Sequence, residues 1–115
     1  MKLKDEVESF LKEFKHKLGF WGLLFRSDRA KNFNTMLALE VSVNDIKNVL
    51  HELEARDYSE GPLEEALYKS SDMWVFGKVI KKKEIYIKIT MGQPSSGVIC
   101  ISFHLAEKKM PYPFK

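Results

Sequence analysis

The hydrophobic pattern of this chain changes period once, near Met73, and no other feature limits the fold as much. Before that point apolar residues recur every three or four positions, as on one face of a helix. After it they alternate, as on a strand with one buried face. "MWVFGKVI" (73–80), "EIYIKIT" (84–90) and "GVICISFHL" (97–105) read as three strands. Their connections, "KKK" and "MGQPSSG", are short enough for antiparallel hairpins. Helices first and strands after is an α+β order. The expected fold is one domain over residues 1–115. A mainly helical scaffold (1–70) lies on one face of a small antiparallel sheet (73–105), and 106–115 form a tail. A chain of 115 residues, 44% hydrophobic, can close one core and not two.

Within the scaffold, Leu3, Val7, Phe10, Leu11, Phe14 and Leu18 make a stripe that predicts a helix over 3–18. Its acids come early and its bases late, as the helix dipole favours, and Gly19 is the expected stop. "FWGLLF" (20–25) reads either as a buried strand or as an extended connection. Ser27 or Asp28 is placed to cap a second helix running to about Leu39, with Phe33, Met36 and Leu37 inward. Ser42 is placed to cap a third by accepting from the backbone of Asp45, ahead of a buried stripe of Val43, Ile46, Val49, Leu50 and Leu53. "RDYSEGP" (56–62) has the chemistry of a turn, with one short helix expected over 63–70.

Composition narrows the partners. No apolar run approaches the roughly 20 residues of a membrane span, and "MKLKDEVESF" reads as neither a signal nor a transit peptide. The lone Cys100 makes no internal disulfide, which suits a reducing, cytoplasmic setting. Residues 1–68 carry 10 Lys/Arg against 13 Asp/Glu, while residues 69–115 carry 9 against 3. The second part therefore has the charge of a surface that meets a polyanion, or of a basic surface with no partner.

Strand alternation then sorts the side chains. Ile85, Ile87 and Ile89 share a face, and Ile99, Ile101, Phe103 and Leu105 are expected to join them. The opposite face would carry Tyr86, Lys88 and Thr90 beside Val98, Cys100, Ser102 and His104. A phenol, an ammonium and an imidazole suffice to cleave RNA without a metal. A base takes the proton of the ribose 2′-OH, a cation steadies the phosphorane, and an acid protonates the leaving 5′-oxygen. Tyr86 and Lys88 are expected to polarise the 2′-OH and the scissile phosphate, with His104 or Lys78 as the acid. Lys78 shares parity with Trp74 and Phe76, so register decides its face. The plainer reading is a wet sheet face with a surface histidine.

Other residues admit two readings each. Trp74 and Phe76 are core or rim residues, or a platform for an unpaired base. Lys81, Lys82 and Lys83 are a solvated hairpin tip or a phosphate contact. Arg26 and Arg29 form a phosphate clamp only if the fold brings them to the sheet. Asp72, Glu84 and Glu107 lack the spacing of a metal site, and His16, His51 and His104 are scattered, so no metal and no cofactor is expected. Cys100, between isoleucines, reads as a small buried residue.

"EIYIKIT", then "VICISF" after a hairpin, preceded by a Trp-containing strand, together with "LEVSVNDIKNVLHELEARDY" (39–58), resemble the MqsR-type toxins of bacterial type II toxin–antitoxin systems. The resemblance covers roughly residues 35–105. It implies a RelE-like α+β fold, a metal-independent mRNA interferase, and an antitoxin partner with a helix-turn-helix part. The family's active-site Tyr matches Tyr86, and the Lys two residues on matches Lys88. The family has a functional Gln directly after the strand Trp, where this chain has Val75. Its functional Lys follows the Asp–aromatic pair, where this chain reads "SEGPLEEALYKSS" and offers Lys69. A non-catalytic RNA- or protein-binding module using the same basic face is the alternative reading.

Overall fold

The computed structural model describes residues 3–64 and 71–115. It is α+β: three N-terminal helices and a five-stranded mixed sheet. The elements are α1 (Lys4–Trp21), β1 (Leu23–Phe25), α2 (Ala30–Leu39), α3 (Val43–His51), a short 3-10 turn (Ala55–Asp57), β2 (Tyr58–Leu63), β3 (Met73–Ile80), β4 (Lys83–Thr90) and β5 (Val98–Leu105). The sheet order is β1-β5-β4-β3-β2. All neighbours are antiparallel except β1, which runs parallel to β5, so the sheet is not wholly antiparallel as expected.

The helical stripe of α1 folds as its spacing predicts except at Leu3, which is the exposed residue before the first turn. Val7, Phe10, Leu11, Phe14 and Leu18 are buried and meet Ile85, Ile87 and Ile89 in one core. The helix runs past Gly19, however, and stops at Gly22, whose φ of 86° permits the reversal into β1. Ser42 caps α3 as expected: its hydroxyl accepts from the Asp45 N–H at 3.1 Å, and the Asp45 carboxylate accepts from the Ser42 N–H at 2.8 Å. Those bonds hold the Asp45 carboxyl below its ordinary pKa. The apolar run at 20–25 divides between the end of α1 and strand β1.

Further expectations fail for physical reasons. Residues 58–63 form an edge strand, not a turn leading into a helix. Gly61 and Pro62 look like turn residues, but an edge strand tolerates both. Tyr58 commits the segment to the core: its ring is fully buried against Phe76 and Trp74, and its hydroxyl donates to the Gly61 carbonyl at 2.5 Å. The remainder of the helix expected over 63–70 lies outside the described residues from 65 onward. The second departure concerns α2, which turns Asn32, Thr35 and Leu39 inward and leaves Phe33 and Leu37 exposed.

The rotation of α2 follows from what Asn32 does. Strand β1 pairs with β5 only from Val98 to Cys100. Beyond that point the outer edge of β5 lacks a strand partner, and Asn32 supplies one. Its Nδ2 donates to the carbonyls of Ile101 and Arg26, both at 2.9 Å, and its Oδ1 accepts from the Phe103 N–H at 2.9 Å. The residue is 1% exposed, so these groups have no water to turn to.

The same stretch of β5 holds a bulge. Lys88 pairs with Ser102, but Ile89 pairs with Cys100, which leaves Ile101 as the extra residue. The bulge reverses side-chain parity partway along the strand. Phe103 faces the core as expected, and so do Val98 and Cys100, while Ile99 pairs with Thr90 on the other side. The expected set of Ile99, Ile101, Phe103 and Leu105 on one face is therefore wrong in its first half. Burial pushes the Cys100 thiol well above its ordinary pKa, leaving it inert.

Asn32→Ala should lower stability by about 3 kcal/mol, since it orphans buried backbone groups on β5. Urea unfolding measures this. A loss below about 1 kcal/mol would mean that the amide does not brace the bulge.

Candidate functional site

After the bulge, β5 turns Ser102 and His104 to the sheet face away from the core cluster, and β4 turns Tyr86 and Lys88 to the same face. Cross-strand register sets them opposite one another: Tyr86 beside His104, Lys88 beside Ser102. The Tyr86 and His104 rings stack with centroids 5.2 Å apart and planes 15° from parallel. The Lys88 ammonium stands 5.9 Å from the centre of the Tyr86 ring. A phenol, an imidazole and an ammonium thus share one patch.

The patch is the floor of a cleft of about 490 Å³. Arg29, at the start of α2, and Ser59 and Glu60 of β2 form its rims, and residues 107–111 form a wall. That wall belongs to the C-terminal segment, which is a strap and not a loose tail. Met110 is buried, and the Tyr112 hydroxyl donates to Glu84 Oε2 at 2.6 Å. Phe114 stacks on Tyr58 with centroids 5.6 Å apart. Gly77, the β3 neighbour of Tyr86, leaves the strap its space. A Cβ there would lie 2.0 Å from the Tyr112 hydroxyl oxygen.

Electrostatics assign a protonation state to the phenol. Partial burial, followed by the nearby Glu60 carboxylate, pushes the Tyr86 pKa above 10.0, and Arg29 offsets part of this. Tyr86 is therefore a neutral donor at physiological pH. His104 is oriented by its own strand end. Its Nδ1 lies 3.0 Å from the Leu105 carbonyl, which can only accept, so that bond requires the Nδ1–H. In the neutral ring the lone pair is then left on Nε2.

The structure does not bring every sequence candidate to this cleft. Lys78 lies on the helix side of the sheet, where it pairs with Asp57 at 3.1 Å, and is not beside Tyr86. Trp74 also faces the helices, stacked on Phe10 with centroids 4.4 Å apart, and is no platform for a base. Lys81 and Lys82 take left-handed conformations at the tight β3–β4 turn. The Lys81 ammonium donates to the Leu39 carbonyl at 2.5 Å. Neither these two nor Lys83 lines the cleft. Arg26 is bound in a two-pronged pair with Asp28 at 2.9 and 2.8 Å, while Arg29 does reach the rim. Lys69 lies outside the described residues. Val75, where the resemblance would expect a Gln, is fully buried opposite Lys88.

Glu60, Lys108 and Lys109 also line the cleft, and no local motif marks them in the sequence. The Lys pair is followed by "MPYPFK", whose aromatics and prolines were the available signal of an anchored segment. Among the described residues, no group of three or more His, Cys, Asp or Glu side chains is placed to hold a metal ion. No described helix is long and apolar enough to cross a membrane. Comparison with protein-family models, with curated proteins and with solved structures finds no match to this chain.

Spectrophotometric titration of the wild type against Tyr86→Phe should show the Tyr86 phenol ionising above pH 10. An ionisation below pH 9 would contradict the burial and Glu60 account of its environment.

Proposed function

We propose that this chain is a metal-independent endoribonuclease, the toxin of a type II toxin–antitoxin pair with a RelE-like fold, acting on mRNA in the cytoplasm. The observation that carries the reading is the stacked Tyr86–His104 pair with Lys88 beside it on the floor of a basic cleft. The resemblance of "EIYIKIT" and its flanking segments to MqsR-type toxins supplies the class of reaction. An antitoxin protein carrying a helix-turn-helix is the partner that class brings with it.

The chemistry follows from protonation states. His104 Nε2 takes the proton from the ribose 2′-OH as that oxygen attacks phosphorus. Lys88 stabilises the negative charge on the phosphorane oxygens, an effect magnified in a partly dry cleft. The neutral Tyr86 phenol gives its proton to the 5′-oxygen as the P–O5′ bond breaks. The new O2′–P bond closes a 2′,3′-cyclic phosphate, and the other fragment leaves with a 5′-hydroxyl. Tyr86 serves as the acid here because the phenol holds its proton at neutral pH, while the His104 Nδ1–H bond to the Leu105 carbonyl leaves Nε2 as the acceptor.

Cleavage of a defined RNA in the presence of a chelator tests the reading. Tyr86→Phe, His104→Ala and Lys88→Ala should each lose about 100-fold or more in rate, with cyclic phosphate ends on the wild-type products. Undiminished cleavage by the variants would remove the assigned site. Binding of RNA by the wild type without any cleavage would leave the non-catalytic module as the better reading.

A further inference from the structure

The C-terminal strap is held with more care than a chain end requires. Four contacts fix it: the burial of Met110, the Tyr112–Glu84 hydrogen bond, the close fit of Tyr112 over Gly77, and the Phe114–Tyr58 stack. Glycine in a strand interior weakens the strand and commonly marks a close approach by another backbone or side chain. Here that approach is the strap's. The anchors all lie at or beyond Met110, while β5 ends at Leu105. The Ala106 N–H still donates to the Glu84 carbonyl at 2.9 Å and Glu107 pairs with Lys31, so Lys108 and Lys109 are the residues that cross from there to Met110 along one side of the cleft.

The charges on that span are unequal. Glu107 is occupied by Lys31, with an N–O distance of 2.7 Å. Among the described residues neither Lys108 nor Lys109 has an ion-pair partner, and both are exposed while lining the cleft. Two ammonium groups outside any close ion pair, of which Lys108 feels the Glu107 carboxylate only at longer range, are thus presented on the wall, with Lys88 on the floor and Arg29 on the rim. A single phosphate at Lys88 does not call for cations on three sides. A run of phosphates does.

We propose that the strap is a substrate-binding wall, in which Lys108 and Lys109 hold backbone phosphates of a polynucleotide on either side of the one that Lys88 engages. This rests on the ribonuclease reading of the floor and extends it to the residues that seat the strand. The strap's anchors act as positioning residues, because they fix where the two lysines stand. Tyr112→Ala should therefore reproduce the loss caused by removing the lysines themselves.

The test measures binding of a 2′-O-methyl oligoribonucleotide, which cannot be cleaved, across a range of salt concentrations. Each phosphate contact to a single strand contributes about 0.7 to the slope of log affinity against log salt. The variant Lys108→Ala/Lys109→Ala should flatten that slope by about 1.4 and weaken binding about tenfold at low salt. Tyr112→Ala should move the slope in the same direction. Lys4→Ala/Lys12→Ala, which removes the same charge from exposed positions on α1, should leave the slope unchanged. An unchanged slope in the strap variant, or an equal change in the α1 variant, would overturn the proposal while cleavage by the wild type still stood. Failure of the wild type to bind the oligonucleotide would overturn both the strap and the ribonuclease reading.

Discussion

The amide of Asn32 stands where a strand would otherwise have to be. Strand β1 is three residues long, so half of the outer edge of β5 would present bare backbone groups to a helix. A buried N–H or C=O without a partner costs about 1–3 kcal/mol. One amide, with an acceptor and two donors, meets Phe103 and Ile101 on β5 and Arg26 after β1. It bridges the bulge that changes the parity of β5. Upstream of Ile101 the strand sends Val98 and Cys100 into the core, and downstream it sends Ser102 and His104 to the opposite face. Without that change, a strand regular from Val98 onward would place the imidazole among the isoleucines.

The two sheet faces then acquire different tasks. On the helix side, the isoleucines of β4 pack with α1 and α3, and the one lysine of β3 on that side is neutralised by Asp57. On the other side, the phenol, imidazole and ammonium meet in a space only partly open to water. Partial burial is what makes the arrangement chemically useful. It keeps the Tyr86 proton in place and weakens the screening of the half-buried Lys88. The strap closes that space from one side, and Gly77 gives it room to do so.

Much of this was legible in the sequence. The period change at Met73 gave the α+β order, the Ser42–Asp45 spacing gave the cap of α3, and alternation in "EIYIKIT" put Tyr86 and Lys88 on a common face. What was not legible depended on long-range partners. The bulge has no local signature in "VICISF", and the residue that hydrogen-bonds across it, Asn32, lies some 70 positions away in the chain. Strand β2 was hidden by Gly61 and Pro62, residues with turn chemistry that an edge strand accommodates. Phe33 and Leu37 suggested an inward apolar face for α2, yet three hydrogen bonds from a polar residue set the rotation of the helix. Lys78 needed the register of β3 before its face could be assigned, and that register pairs it with Ile85 on the helix side.

The most direct measurement is the nuclear Overhauser pattern of the His104 ring in the isotopically labelled protein. Stacked centroids 5.2 Å apart require cross-peaks from the imidazole protons to the Tyr86 ring. Cross-peaks instead to the methyl groups of Ile85 and Ile87 would place His104 on the helix side. The bulge would then be absent, and the shared patch with it.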